Sequence, residues 1–132
     1  MTMIHRILIT LGLLFATTAG AQIWGPLNLE ELKAETQRRA DRNLPPIAGI
    51  KPEDARAAVA RLSDLQRETW AHAWIANGER YMKEAQALEK SSPAEAANAY
   101  YHAWHNFSTG RWPSEKLAPA KQRACERTLD AC

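Results

Sequence analysis

WAHAWIANGERYMKEAQALEKSSPAEAANAYYHAWHNFSTG, residues 70–110, reads as two helices joined by a tight connection. In the first half Trp70, Trp74, Asn77, Tyr81, Ala85 and Leu88 recur at helical spacing and share one side. The break is SSPAE, with Ser92 as the expected N-cap, Pro93 at the first helical position and Glu95 closing a capping box. In the second half Ala97, Tyr101, Trp104 and Ser108 share a face, and Ala97, Tyr100, Trp104 and Phe107 share an overlapping one. Trp104 belongs to both, so it is expected at the centre of a buried stripe facing Trp70, Trp74 and Tyr81. Tyr100 and Tyr101 cannot both point inward. Gly110 stands where a left-handed C-cap belongs, and Pro113 follows it. A connection as short as SSPAE demands antiparallel neighbours.

Helical signals continue on both sides. Asn28 with Glu31 makes a capping box for LEELKAETQRRADR, which runs to about Arg42. Its apolar face is thin, Leu29, Leu32, Thr36 and Ala40, so it is expected to lie loosely on the rest or to dock on something else. Pro45, Pro46 and Gly49 break the pattern. Pro52 opens a helix with a stripe of Ala55, Ala58, Val59 and Leu62. Ser63 with Gln66 reads as a capping box that starts the Trp-bearing helix at Asp64 and carries it to about Lys90. The last helix begins at Ser114 or Pro119. Its apolar side is Leu117, Cys125 and Leu129, with Ala120, Ala124 and Thr128 filling small volume. No alternating β pattern occurs, so the expected fold is all-α, a small bundle of four to five antiparallel helices.

The start of the chain has the three-part pattern of a secretory signal peptide: Arg6, the apolar run ILITLGLLF, and Ala19 and Ala21 at the −3 and −1 positions of a cleavage site after Ala21. The expected division is residues 1–21 as signal peptide, 22–51 as an N-terminal helix and Pro-rich linker, and 52–132 as the helical domain. The expected location is periplasmic or secreted, with no membrane attachment after cleavage. The 17 Lys and Arg against 15 Asp and Glu give a net charge of +2, and the charges are interspersed. That argues against a nucleic-acid partner and against an electrostatically held membrane surface. Export would place Cys125 and Cys132 in an oxidising compartment, where a pair at a frayed helix end, an intermolecular bridge and two free thiols are all open readings.

Chemistry is scarce. His102 and His105 are neighbours on a helix, but too few further ligands accompany them for a zinc site, and no metal or other cofactor is expected. No two glycines have the spacing of a G-x-S-x-G nucleophile elbow, and no phosphate-cradling glycine loop is present. No catalytic residue is assigned.

Two resemblances suggest what such a bundle does. WIANGERY, residues 74–81, resembles the opening W-x2-L-G-x2-Y of a tetratricopeptide repeat, with Asn77 in place of Leu and Lys90 where the repeat has a small Ala. That resemblance implies a helical module binding a peptide or protein partner. A longer one runs from NLPPIAGIKPEDARAAVARLSDLQRETWAHAW through SPAEAANAYYHAWHNF to RWPSEKLAPAKQRACERTLDAC. These segments resemble the N-terminal helical cap of α/β-hydrolases of the fermentation–respiration switch and dihydroxypseudooxynicotine hydrolase types. Pro46 to Ile50, Trp70 with Trp74, Tyr100 with Tyr101, Phe107 and Lys121 occupy the family's places. The resemblance implies an exported, non-catalytic cap-like module or a truncated or split hydrolase. Its partner would then be another protein or a missing α/β domain. It also implies that Trp74, Tyr101 and His102 line a pocket; Trp104, common to both faces of its helix, joins them as a candidate binding residue.

Overall fold

The computed structural model describes residues 27–112 and 119–132. The signal-peptide reading, Pro113 and Leu117 therefore lie outside the described residues. Five helices follow one another: α1 Leu29–Asp41, α2 Pro52–Ala60, α3 Arg67–Leu88, α4 Pro93–Arg111 and α5 Pro119–Asp130. There is no strand among the described residues, and the all-α expectation holds.

Cross-helix pairs give the topology. Along α3, Trp70, Asn77 and Tyr81 meet Thr109, Asn106 and His102 of α4 in falling order, so the two helices are antiparallel. Glu68, His72 and Glu79 of α3 meet Ala120, Arg123 and Arg127 of α5 in rising order, so α5 runs parallel to α3. Asp54 and Arg61 of the α2 segment meet Tyr81 and Asn77, so α2 is antiparallel to α3.

Local chemistry sets most boundaries. The Asn28–Glu31 capping box forms, with both bonds at 2.9 Å. Pro52 and Pro93 each sit in a first helical turn. Two expected boxes do not form. Asp64 Oδ1 accepts the Gln66 N–H at 2.9 Å, closing a turn of its own, and Ser63 bonds to Asp64; α3 therefore begins at Arg67, capped by Gln66 without a side-chain bond. Ser92 holds φ −147° and ψ 72°, away from the extended geometry in which a cap side chain reaches the first turn, and makes no side-chain cap bond. Between α1 and α2, Asn43 and Gly49 take positive φ of 52° and 86°, and Asn43 Oδ1 accepts the Gly49 N–H at 2.8 Å.

The core differs from the expected one in how volume is divided. Trp70, Trp74 and Tyr81 of α3 are buried as expected, but most of the buried positions of α4 are small. The inward positions of α4 include Ala96, Ala99, Ala103 and Gly110, with Phe107 as the one buried ring. Small residues there leave room for the α3 indoles, and Trp104 packs against the edge of the cluster around Phe107, only partly buried, contrary to expectation. Gly110 lies inside α4 rather than in a left-handed cap. A methyl built on it would stand 3.2 Å from Trp74 Cβ, so its role is close packing. On α5 the inward face is Ala120, Ala124, Thr128 and Ala131, whereas Leu129 is 76 % exposed, against expectation.

α1 is not loose. Leu32, Thr36 and Ala40 are buried, and Leu32, Ala40, Ile47 and Ile50 belong to one apolar cluster with Trp70 and Trp74. The thin face works because its small side chains let the helix approach closely. This cluster crosses the position, just before Pro52, at which the sequence suggested a division. α5 is clamped by Arg127, which donates to both oxygens of Glu79 at 2.6 and 2.7 Å, and by Glu68, which accepts the Ala120 N–H at 3.2 Å.

Gly78 makes room on α3 for a ring of α4: a methyl there would lie 2.6 Å from Phe107 Cδ1, a ring with no exposed surface. Gly→Ala in a helix usually stabilises by up to about 1 kcal/mol. Here overpacking should outweigh that gain, and Gly78→Ala should destabilise by about 2 kcal/mol in urea unfolding, with Phe107→Leu in the same chain recovering part of the loss.

Candidate functional site

The outward face of α4 carries the exposed aromatics. Ala97, Tyr101, Trp104, Ser108 and Trp112 succeed one another along it, with Tyr100 and His105 beside them. Two grooves open on this face, and Trp104 is a wall of both. The first, about 430 Å³, lies between α4 and the end of α5 and is lined by Ala97, Tyr100, Tyr101, Trp104, Ala131 and Cys132. The second, about 240 Å³, lies between α4 and the linker and is lined by Pro46, Ala48, Trp104, His105, Ser108 and Trp112, with Thr109 behind. Tyr101 is 53 % exposed and Trp112 38 %.

The four candidate binding residues separate. Tyr101 and Trp104 line grooves. His102 lines neither; it is half-buried between Tyr81, centroid to centroid 5.2 Å, and Tyr101, 5.4 Å. Trp74 is sealed, with no exposed surface, and packs on Trp70 at 5.4 Å. It lines neither groove because α3 presents that side to the core, not to solvent. Its indole N–H is buried without a hydrogen-bond partner among the described residues.

His105 packs on the linker. His105 lies over Gly49, where any Cβ would stand 2.6 Å from Nδ1 and 2.9 Å from Nε2, so the left-handed glycine is required on two counts. Its other sides meet Tyr101 at 4.4 Å and Trp104 at 4.7 Å. Burial pushes both imidazoles below their ordinary pKa, aided by Lys51 at His102 and by His102 at His105. Asp54, Glu84 and Glu53 oppose the shift at His102 without cancelling it. Among the described residues no group of three or more His, Cys, Asp or Glu could hold a metal, and Cys125 and Cys132 are free thiols.

A polar cluster that the sequence did not reveal lies beneath His102. Asp54, 2 % exposed, accepts from Arg80 Nη2 and the Tyr81 hydroxyl, each at 2.6 Å. Burial, then the bond to Asp54, pushes the Tyr81 phenol up to about 12. Asn77 Nδ2 donates to Asp54 O at 2.8 Å and to Asn106 Oδ1 at 3.1 Å, and Arg61 donates to Asn77 Oδ1 at 2.9 Å. In sequence Asp54 looks like an ordinary acid in a first helical turn; Asn77 within an aromatic stripe was the only signal. Every charged oxygen of Asp54 is satisfied internally, so the cluster ties helices together rather than facing a ligand.

No family model, curated protein or solved structure matches the chain. No helix among the described residues is long and apolar enough to cross a membrane.

Because the folded state disfavours charged His102 and His105, it binds fewer protons than the unfolded chain below pH 6.5. The stability they support is full above that pH and is lost as pH falls through their depressed values. Urea midpoints should drop between pH 7 and about pH 5, and His102→Gln with His105→Gln should flatten that dependence.

Proposed function

We propose that this chain is an exported, non-catalytic helical module of the kind that caps an α/β-hydrolase, acting by contact with a protein partner through the outer face of α4. The observation that carries the reading is Trp104 standing as a ridge between two open grooves, with Tyr101 and Trp112 exposed on the same face while the opposite face of α4 is packed against α3. Aromatic side chains in that position supply contact area at little entropic cost, which is what an interface anchor requires. Export is supported by Arg6, the apolar run after it, and Ala19 with Ala21. The cap-like reading is supported by helix order: a Pro-rich turn, a short helix, a Trp-bearing helix, and a helix carrying Tyr100 and Tyr101.

A second reading, a tetratricopeptide-like module for a peptide, draws on the α3–α4 hairpin, in which Gly78 admits Phe107 close to the helix backbone. The two differ in what carries the contacting segment, an α/β domain in the first and a separate peptide in the second.

Titration of the full chain with anilinonaphthalene sulfonate tests the surface. The dye should bind the folded protein, and Tyr101→Ala with Trp104→Ala should weaken binding about tenfold while far-UV circular dichroism is kept. No dye binding, or equal binding by the double variant, would remove the α4 face as a contact surface.

A further inference from the structure

Resting on the α4 contact surface just proposed, we infer that its occupant is an extended, proline-rich segment of a protein partner, carrying a basic residue at the end that meets Glu89 and an acidic residue at the end that meets Arg111.

The shape argues for an extended chain. Two grooves divided by the Trp104 ridge do not form the single trough that a helix about 10 Å across requires. A partner strand has nothing to pair with, since no sheet edge exists among the described residues. A polyproline II chain suits a ridged aromatic face, because its prolines stack on rings and its rigidity lowers the cost of ordering. The α4 positions from Ala97 to Trp112 span about 22 Å, the length of roughly seven residues in that conformation.

The hydrogen-bonding groups fit as well. A polyproline II backbone leaves all its carbonyls unpaired. The Tyr101 hydroxyl and the Trp104 indole N–H have no partner among the described residues, and both can donate to such carbonyls.

Charge sets direction. Between Glu95 and Arg111, α4 carries no Asp, Glu, Lys or Arg. At one end of this uncharged stripe exposed Glu89 accepts from the Tyr100 hydroxyl, and Tyr100 lines the first groove. At the other, exposed Arg111 stands next to Trp112 of the second groove. Neither charge is in an ion pair among the described residues. Unpaired charges of opposite sign at the two ends are complementary to a ligand with its own charges reversed.

The test is calorimetric titration of the full chain with a capped peptide of prolines and leucines, about nine residues long, bearing Arg first and Glu last. Saturable binding in the micromolar range is expected, weakened about tenfold by Tyr101→Ala. Glu89→Lys should shift preference to a peptide with Glu at both ends. Three results would overturn the inference: no saturation at millimolar peptide, equal binding when the prolines are replaced by glycines, or tighter binding of an amphipathic helical peptide. If the proline peptide fails while dye binding still depends on Tyr101 and Trp104, only the proline-rich assignment falls. If the dye result fails too, the α4 contact surface falls with it.

Discussion

The side chain of Asn77, out of water near the middle of α3, directs both its amide N–H groups and its carbonyl to other segments. Through it the Asp54 backbone, Asn106 of α4 and Arg61 after α2 are tied to one point. A buried amide left unpaired costs a few kcal/mol, so this arrangement admits little sliding of any helix against the others. One turn along α3, Tyr81 and Arg80 close on the Asp54 carboxylate and fix the start of α2 in the same way. Such clusters add less to net stability than to uniqueness of the packing, because each bond replaces one made to water.

Once those helices are in register, the division of volume follows. α3 brings the large rings and α4 answers with alanines and glycine, except at Phe107, where α3 itself supplies Gly78. Interiors pack at near-crystalline density, so large faces small across the interface. The consequence is outward: Tyr101 and Trp112 are left exposed, Trp104 is only half-buried at the edge of the core, and the three form the aromatic face with its two grooves. The core and the candidate interface are therefore two sides of the same helix, assigned by one steric rule.

The linker packs on that helix at His105. Gly49 lets the backbone pass under the His105 ring, and the same ring, with Trp104, forms the wall of the second groove opposite Pro46 and Ala48. Linker geometry and groove shape are thus coupled through one imidazole, and its low proton affinity keeps that contact uncharged near neutral pH.

The sequence by itself determined the helical class, the capping box at Asn28, the prolines that open α2 and α4, and the buried stripe of α3, since all of these depend on contacts within a few residues. It also marked α4 as the aromatic helix and Tyr101 with Trp104 as candidates for binding. Tertiary structure alone decided which way those rings point. Periodicity marks a stripe but not whether the partner helix has room for it, and α3 had already filled that room with Trp70 and Trp74. The same reason sealed Trp74 away from either groove and made Gly110 a packing residue instead of a cap. The Asp54 cluster was illegible for a different reason: its members, Asp54, Asn77, Arg80, Tyr81 and Asn106, are brought together from three helices, and no local pattern encodes hydrogen bonds made across such distances in the chain.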